Sequence, residues 1–128
     1  MIPVYQKTKT DCVTAVISSL TGIPYEECPQ LWEYTSIEWI GKLIEWARTK
    51  NLGLVYFELK NRENWPYIDN VFVGLVGSCS RSKEFDHTVV ARAETENGVT
   101  KLYYEHDPYE FGDFIQNPSY FFFFTRNF

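Results

Sequence analysis

The stretch Thr10-Asp11-Cys12-Val13-Thr14-Ala15-Val16-Ile17-Ser18-Ser19-Leu20-Thr21-Gly22 decides how the fold is read, because it is helical in a chain whose second half is made of strands. Thr10 or Asp11 offers a side chain able to cap a helix, and Gly22 provides the stop after Thr21. Ala15, Val16, Ser19 and Leu20 fall on faces that a core can cover. Cys12 opens the helix. A thiol at that position is favoured as thiolate, since the helix dipole and the unpaired first-turn N–H groups stabilise negative charge.

Outward from this helix, Pro24 begins a short helical turn, Tyr25-Glu26-Glu27-Cys28, that ends near Pro29. A second long helix is predicted from Thr35-Ser36, with Thr35 and Glu38 spaced as a capping box. Its apolar stripe is Ile37, Ile40, Leu43, Ile44 and Ala47, flanked by Trp39 and Trp46 in packing roles. After Asn51 the segments 54–59, 71–76, 88–93, 102–105 and 120–125 are rich in Val, Tyr and Phe and read as strands. Glu96-Asn97-Gly98 joins two of them as a hairpin. Helices followed by antiparallel strands predict an α+β fold, with the helices on one face of a twisted sheet. The last strand, Tyr120-Phe121-Phe122-Phe123-Phe124, is apolar on both faces and needs cover on both sides or a protected edge.

A chain of 128 residues is expected to form a single domain, 1–128, around one core. Its 45% hydrophobic and 18% aromatic content excludes disorder. The net charge of -5 and the absence of a basic cluster argue against a nucleic-acid partner; even Arg81-Ser82-Lys83 is followed by Glu84. No apolar leader follows Met1 and no stretch has the length of a membrane span, so neither secretion nor a membrane is expected. Cys12, Cys28 and Cys79 are odd in number and form no CxxC pair, which fits a reducing cytoplasm. Drawn together with His87 and His106, they lack zinc-ligand spacing. No glycine-rich phosphate loop occurs. Neither metal nor cofactor is expected.

The chemistry lies in three residues far apart in the chain. Cys12 starts the first helix, His87 opens the strand His-Thr-Val-Val-Ala, and Asp107 ends the next strand in His106-Asp107-Pro108-Tyr109. A thiol, an imidazole and a carboxylate are the parts of nucleophilic catalysis. His106 is the rival base, but strand alternation turns it away from Asp107 and toward the surface. Cys79, in the loop Gly77-Ser78-Cys79-Ser80, is a rival nucleophile without a helix terminus behind it. Cys28 reads as packing.

With Gln6, Asp11-Cys12, His87 and Asp107-Pro108 in this order, the chain resembles the papain-like cysteine peptidase fold, most closely the small C39-like peptidase group. The segment 18–24, Ser-Ser-Leu-Thr-Gly-Ile-Pro, with Glu26-Glu27 is similar to small stand-alone members from bacteria and phages. The resemblance implies that Cys12 is the nucleophile, that His87 exchanges the thiol proton, and that Asp107 orients the imidazole. It also implies that the Gln6 amide and the Cys12 N–H receive the oxyanion.

The implied reaction is cleavage of an amide or similar acyl bond in a protein or peptide. The small chain favours a narrow target such as a C-terminal tail or a side-chain amide. Trp65, Asp86 and Tyr109 are the expected substrate-binding residues, on loops that also carry Tyr67, Phe85, Phe111 and Phe114; these aromatics fit equally an apolar substrate groove and a cover over the exposed side of an aromatic core. The family usually has Gly after the Cys and before the His. Val13 and Asp86 stand there instead, one narrowing the approach to sulfur and the other adding negative charge beside the cleft. Two other readings share these residues: a binding or inhibitor module in which the thiol is dispensable, and an acyl transferase of transglutaminase or deamidase type.

Overall fold

The computed structural model describes residues 1–31, 36–60, 65, 67–79, 82–112 and 114–126, with side chains described at all of these except 36–37 and 82–85. Among them the chain forms helix α1 (Cys12–Thr21), a 3-10 turn (Tyr25–Glu27) and helix α2 (Ser36–Thr49). Strands β1 (Leu52–Glu58), β2 (Val71–Cys79), β3 (Ser82–Glu96), β4 (Val99–His106) and β5 (Asn117–Arg126) follow. The strands make one antiparallel sheet in the order β1-β5-β2-β3-β4. The α+β class expected from the helix-then-strand pattern is what forms. No helix among the described residues is long and apolar enough to cross a membrane.

β5 returns from the far end of the chain to lie between β1 and β2. An interior strand must be apolar on both faces, and its phenylalanines divide accordingly. Phe122 joins Val16, Ile17, Trp39, Leu43, Val76 and Val90 beneath the helices. Phe121 packs on the opposite face with Val73, Leu75, Val89 and Ile115. α1 lies against β3, β2 and β5, and α2 against β1. The β3–β4 hairpin turns through Asn97 and Gly98, both at positive φ (51° and 76°), which is the geometry of a tight primed turn.

Several local expectations shift. The α2 stripe runs through Trp39, Leu43 and Ala47, with Ile44 exposed, because the indole of Trp39 reaches across to Tyr120 and Phe122. Thr35 of the expected capping box and the side chains of Ile37 and Phe85 lie outside the described residues. β3 starts at Ser82, so His87 is an interior strand residue rather than the first. Cys79 is the buried last residue of β2 and not part of an open loop.

His106 is also buried rather than at the surface. Its Nε2–H donates to the Val4 carbonyl at 2.7 Å, and Tyr5 packs edge-on against its ring. Val4 N donates to Ser19 Oγ at 2.8 Å, and Gln6 N donates to the Pro108 carbonyl at 2.9 Å. The N-terminal segment is therefore strapped between α1 and the end of β4, which carries Gln6 to the place where β4 delivers Asp107.

Candidate active site

Three elements converge at one point. The first turn of α1 carries Cys12, β3 carries His87 opposite Gly77 of β2, and the end of β4 passes directly into Asp107. All three side chains are nearly closed off from solvent, at 5%, 2% and 9% exposure respectively. His87 Nε2 donates to Asp107 Oδ1 at 2.7 Å. Nδ1, on the other side of the ring, is thereby left without the carboxylate, and Cys12 lies near enough to the ring to raise its pKa.

The electrostatics follow from these contacts. Burial pulls the His87 pKa down, but the hydrogen bonds to Asp107 and Cys12 and their charges outweigh it and push it up to about 9. These partners favour the protonated imidazole. Burial likewise opposes the charge on Asp107. The His87 hydrogen bond, the Tyr109 and Phe114 N–H groups and the His87 charge overcome it and hold the carboxyl below its ordinary value. A buried acid and base that each favour the other's charged form make a tightly coupled pair.

Asp107 is held by a loop that the sequence did not advertise. Tyr109 N donates to Oδ1 and Phe114 N to Oδ2, each at 2.9 Å. Gly112 N closes the turn onto the Tyr109 carbonyl at 2.8 Å. Phe114 sits at φ 66°, a conformation that side-chain-bearing residues seldom adopt, and its hydrogen bond to Asp107 accompanies that strain. Gly112 is the one sequence sign of this arrangement: a β-carbon there would overlap the Asp107 carboxylate.

The remaining predicted residues divide. Gln6 is beside the site through its bond to Pro108; its Nε2 donates to the Thr8 carbonyl at 2.8 Å, while Oε1 is buried with no partner among the described residues. Asp86 is exposed next to His87. The Tyr120 hydroxyl is driven up by burial first, then by the charges of Tyr56, Asp86 and Cys12. Tyr109 is half-buried and contributes its backbone to Asp107, its ring lying near Phe111. Trp65 packs edge-on against Phe121 and donates to the Glu58 carbonyl, which places it on the sheet face opposite the helices. Val13 turns into the core under α1, so its branched side chain packs inward.

Of the other thiols, Cys28 is buried against the Ile23 and Pro24 carbonyls, and burial pushes its pKa up to about 11. It is a packing residue, as its sequence context suggested. Comparison with protein-family models, with curated proteins and with solved structures found no match to this chain.

Proposed function

We propose that this protein is a thiol-dependent hydrolase of papain-like cysteine peptidase type, which cleaves an amide or similar acyl bond through an acyl-enzyme on Cys12. The observation that carries the reading is the buried His87, bonded to Asp107 at 2.7 Å and close enough to the thiol at the N-terminus of α1 for that thiol to raise its pKa. What distinguishes this histidine from a structural one is the chemistry of its neighbours, a thiol at a helix N-terminus on one side and an orienting carboxylate on the other.

In the reaction, Cys12 Sγ as thiolate attacks the carbonyl carbon of the scissile bond. The oxygen takes the charge facing the first-turn N–H groups of α1, with the Gln6 amide beside them. His87 gives its proton to the departing amine as the C–N bond breaks, leaving a thioester. Water then attacks the thioester while His87 accepts its proton, and carboxylate and thiol are released. Asp107 keeps the ring oriented in both steps. A protein or peptide substrate, presented as a C-terminal tail or side-chain amide, suits the small domain. The three buried cysteines, none of them in a disulfide, support a cytoplasmic setting.

The test is reagent chemistry on the whole chain. Iodoacetamide at pH 6 to 7 is expected to label Cys12 in preference to Cys28 and Cys79, and p-nitrophenyl acetate to give a burst of nitrophenolate. Cys12→Ala is expected to abolish both. Labelling of Cys12 no faster than of Cys28 would reject the reading in favour of a binding module.

A further inference from the structure

The Asp11 carboxylate is buried, 3% exposed, immediately before the nucleophile, yet it does not cap the helix that it precedes. It folds backward. Oδ2 accepts from Lys7 N at 2.7 Å and from the Tyr25 hydroxyl at 2.5 Å, and Oδ1 accepts from Thr8 N and Thr8 Oγ1, both at 2.9 Å. The Lys7-Thr8 turn that it ties down is the segment joining Gln6 to Cys12. The Gln6 amide in turn donates to the carbonyl of the same Thr8. The far support is also anchored: Tyr25 lies in the 3-10 turn, whose Glu27 is bonded to Trp46 and Lys50 at the end of α2.

A carboxylate aimed at the thiol would oppose thiolate formation. With four donors drawn behind the nucleophile, that charge is instead satisfied locally and shapes the turn.

We propose that Asp11, braced by Tyr25, is a positioning residue that holds the Gln6 amide on the oxyanion side of Cys12 through the Lys7-Thr8 turn. This rests on the thiol-hydrolase reading, and two reagents separate its consequences. Alkylation by iodoacetamide attacks a saturated carbon and forms no oxyanion, so it reports the thiolate and its histidine alone. Acylation by p-nitrophenyl acetate passes through a tetrahedral oxyanion before nitrophenolate leaves, so it also reports the Gln6 side.

Asp11→Asn puts an amide donor against donors; Tyr25→Phe removes the brace with less disturbance and serves if the first variant folds poorly. For either, the acylation rate is expected to fall about 10- to 100-fold while alkylation stays nearly unchanged. Combining either with Gln6→Ala should lower acylation no further than Gln6→Ala alone. Unchanged acylation, additive losses with Gln6→Ala, or acylation and alkylation falling in parallel would each overturn the positioning role. A wild-type Cys12 inert to both reagents would instead remove the thiol-hydrolase reading, and the positioning role with it.

Discussion

Gly112 backs directly onto the Asp107 carboxylate, leaving no room for a β-carbon between them. Asp107 cannot yield without losing its bonds to His87, Tyr109 N and Phe114 N. Gly112→Ala is therefore expected to destabilise the protein by about 1–3 kcal/mol, the range of an overpacked interior. It should also slow iodoacetamide labelling of Cys12 at neutral pH, because His87 loses its orienting partner. Urea unfolding and labelling rates check the two effects, and a variant unchanged in both would show that the loop carrying Gly112 does not constrain Asp107.

The His87–Asp107 pair makes stability depend on pH with a defined sign. His87 is raised from an ordinary 6.5 to about 9, so its contribution is complete below about pH 6.5 and is lost as pH rises through 9. Asp107 is lowered from 3.8, so its contribution is present above about 3.8 and is lost as pH falls through the depressed value. The pair is thus most stabilising between about pH 4 and 6.5. The urea midpoint of the wild type should fall between pH 6 and 9, and His87→Gln should flatten that fall. Equal slopes in the two proteins would show that His87 is not the group responsible.

The parts of this site that could be read from sequence are those placed by element boundaries. Cys12 at a helix start and Asp107 at a strand end follow from local pattern, and His87 from the apolar strand that it belongs to. The residues misjudged depend on distant contacts. His106 is drawn inward by Val4, a hundred residues earlier in the chain, and Trp65 by Phe121. Trp39 replaces Ile44 in the buried stripe because Tyr120 and Phe122 arrive beneath it from the last strand. Asp11 sits at the cap position by pattern, but the N–H groups of Lys7 and Thr8 and the Tyr25 hydroxyl compete successfully for its carboxylate. Periodicity carries no signal of that competition.

Two glycines should respond to alanine with opposite sign. Gly77 faces His87 across the β2–β3 pairing, and a β-carbon there would overlap the Asn117 carbonyl and crowd Pro118 and Ile115. Backbone cannot swing aside as a side-chain end can, so Gly77→Ala should cost roughly 3 kcal/mol, the upper end for overpacking, and displace His87. Gly41 is exposed within α2, and a β-carbon there meets nothing within 4 Å. Gly41→Ala should stabilise by about 0.5–1 kcal/mol through helix propensity. Thermal unfolding of both variants decides the matter, and a destabilised Gly41→Ala would mean that this face of α2 is more crowded than its open surroundings imply.

His106 offers a way to loosen Gln6 without touching Cys12, His87 or Asp107. Its Nε2–H bond to the Val4 carbonyl and its ring contact with Tyr5 hold the two residues just before Gln6, and the Gln6 N–H bond to Pro108 completes the strap. His106→Ala leaves the Val4 carbonyl without its donor, a loss of about 1–3 kcal/mol. The Val4 and Gln6 amides should then exchange with deuterium faster than those of β3, because only the strap has been released. If Gln6 serves the oxyanion as proposed, acylation by p-nitrophenyl acetate should fall more than alkylation by iodoacetamide. Val99→Thr, at a 44% exposed residue beside the β3–β4 hairpin, serves as the neutral comparison. Uniformly faster exchange across the sheet would assign His106 to the core rather than to the strap.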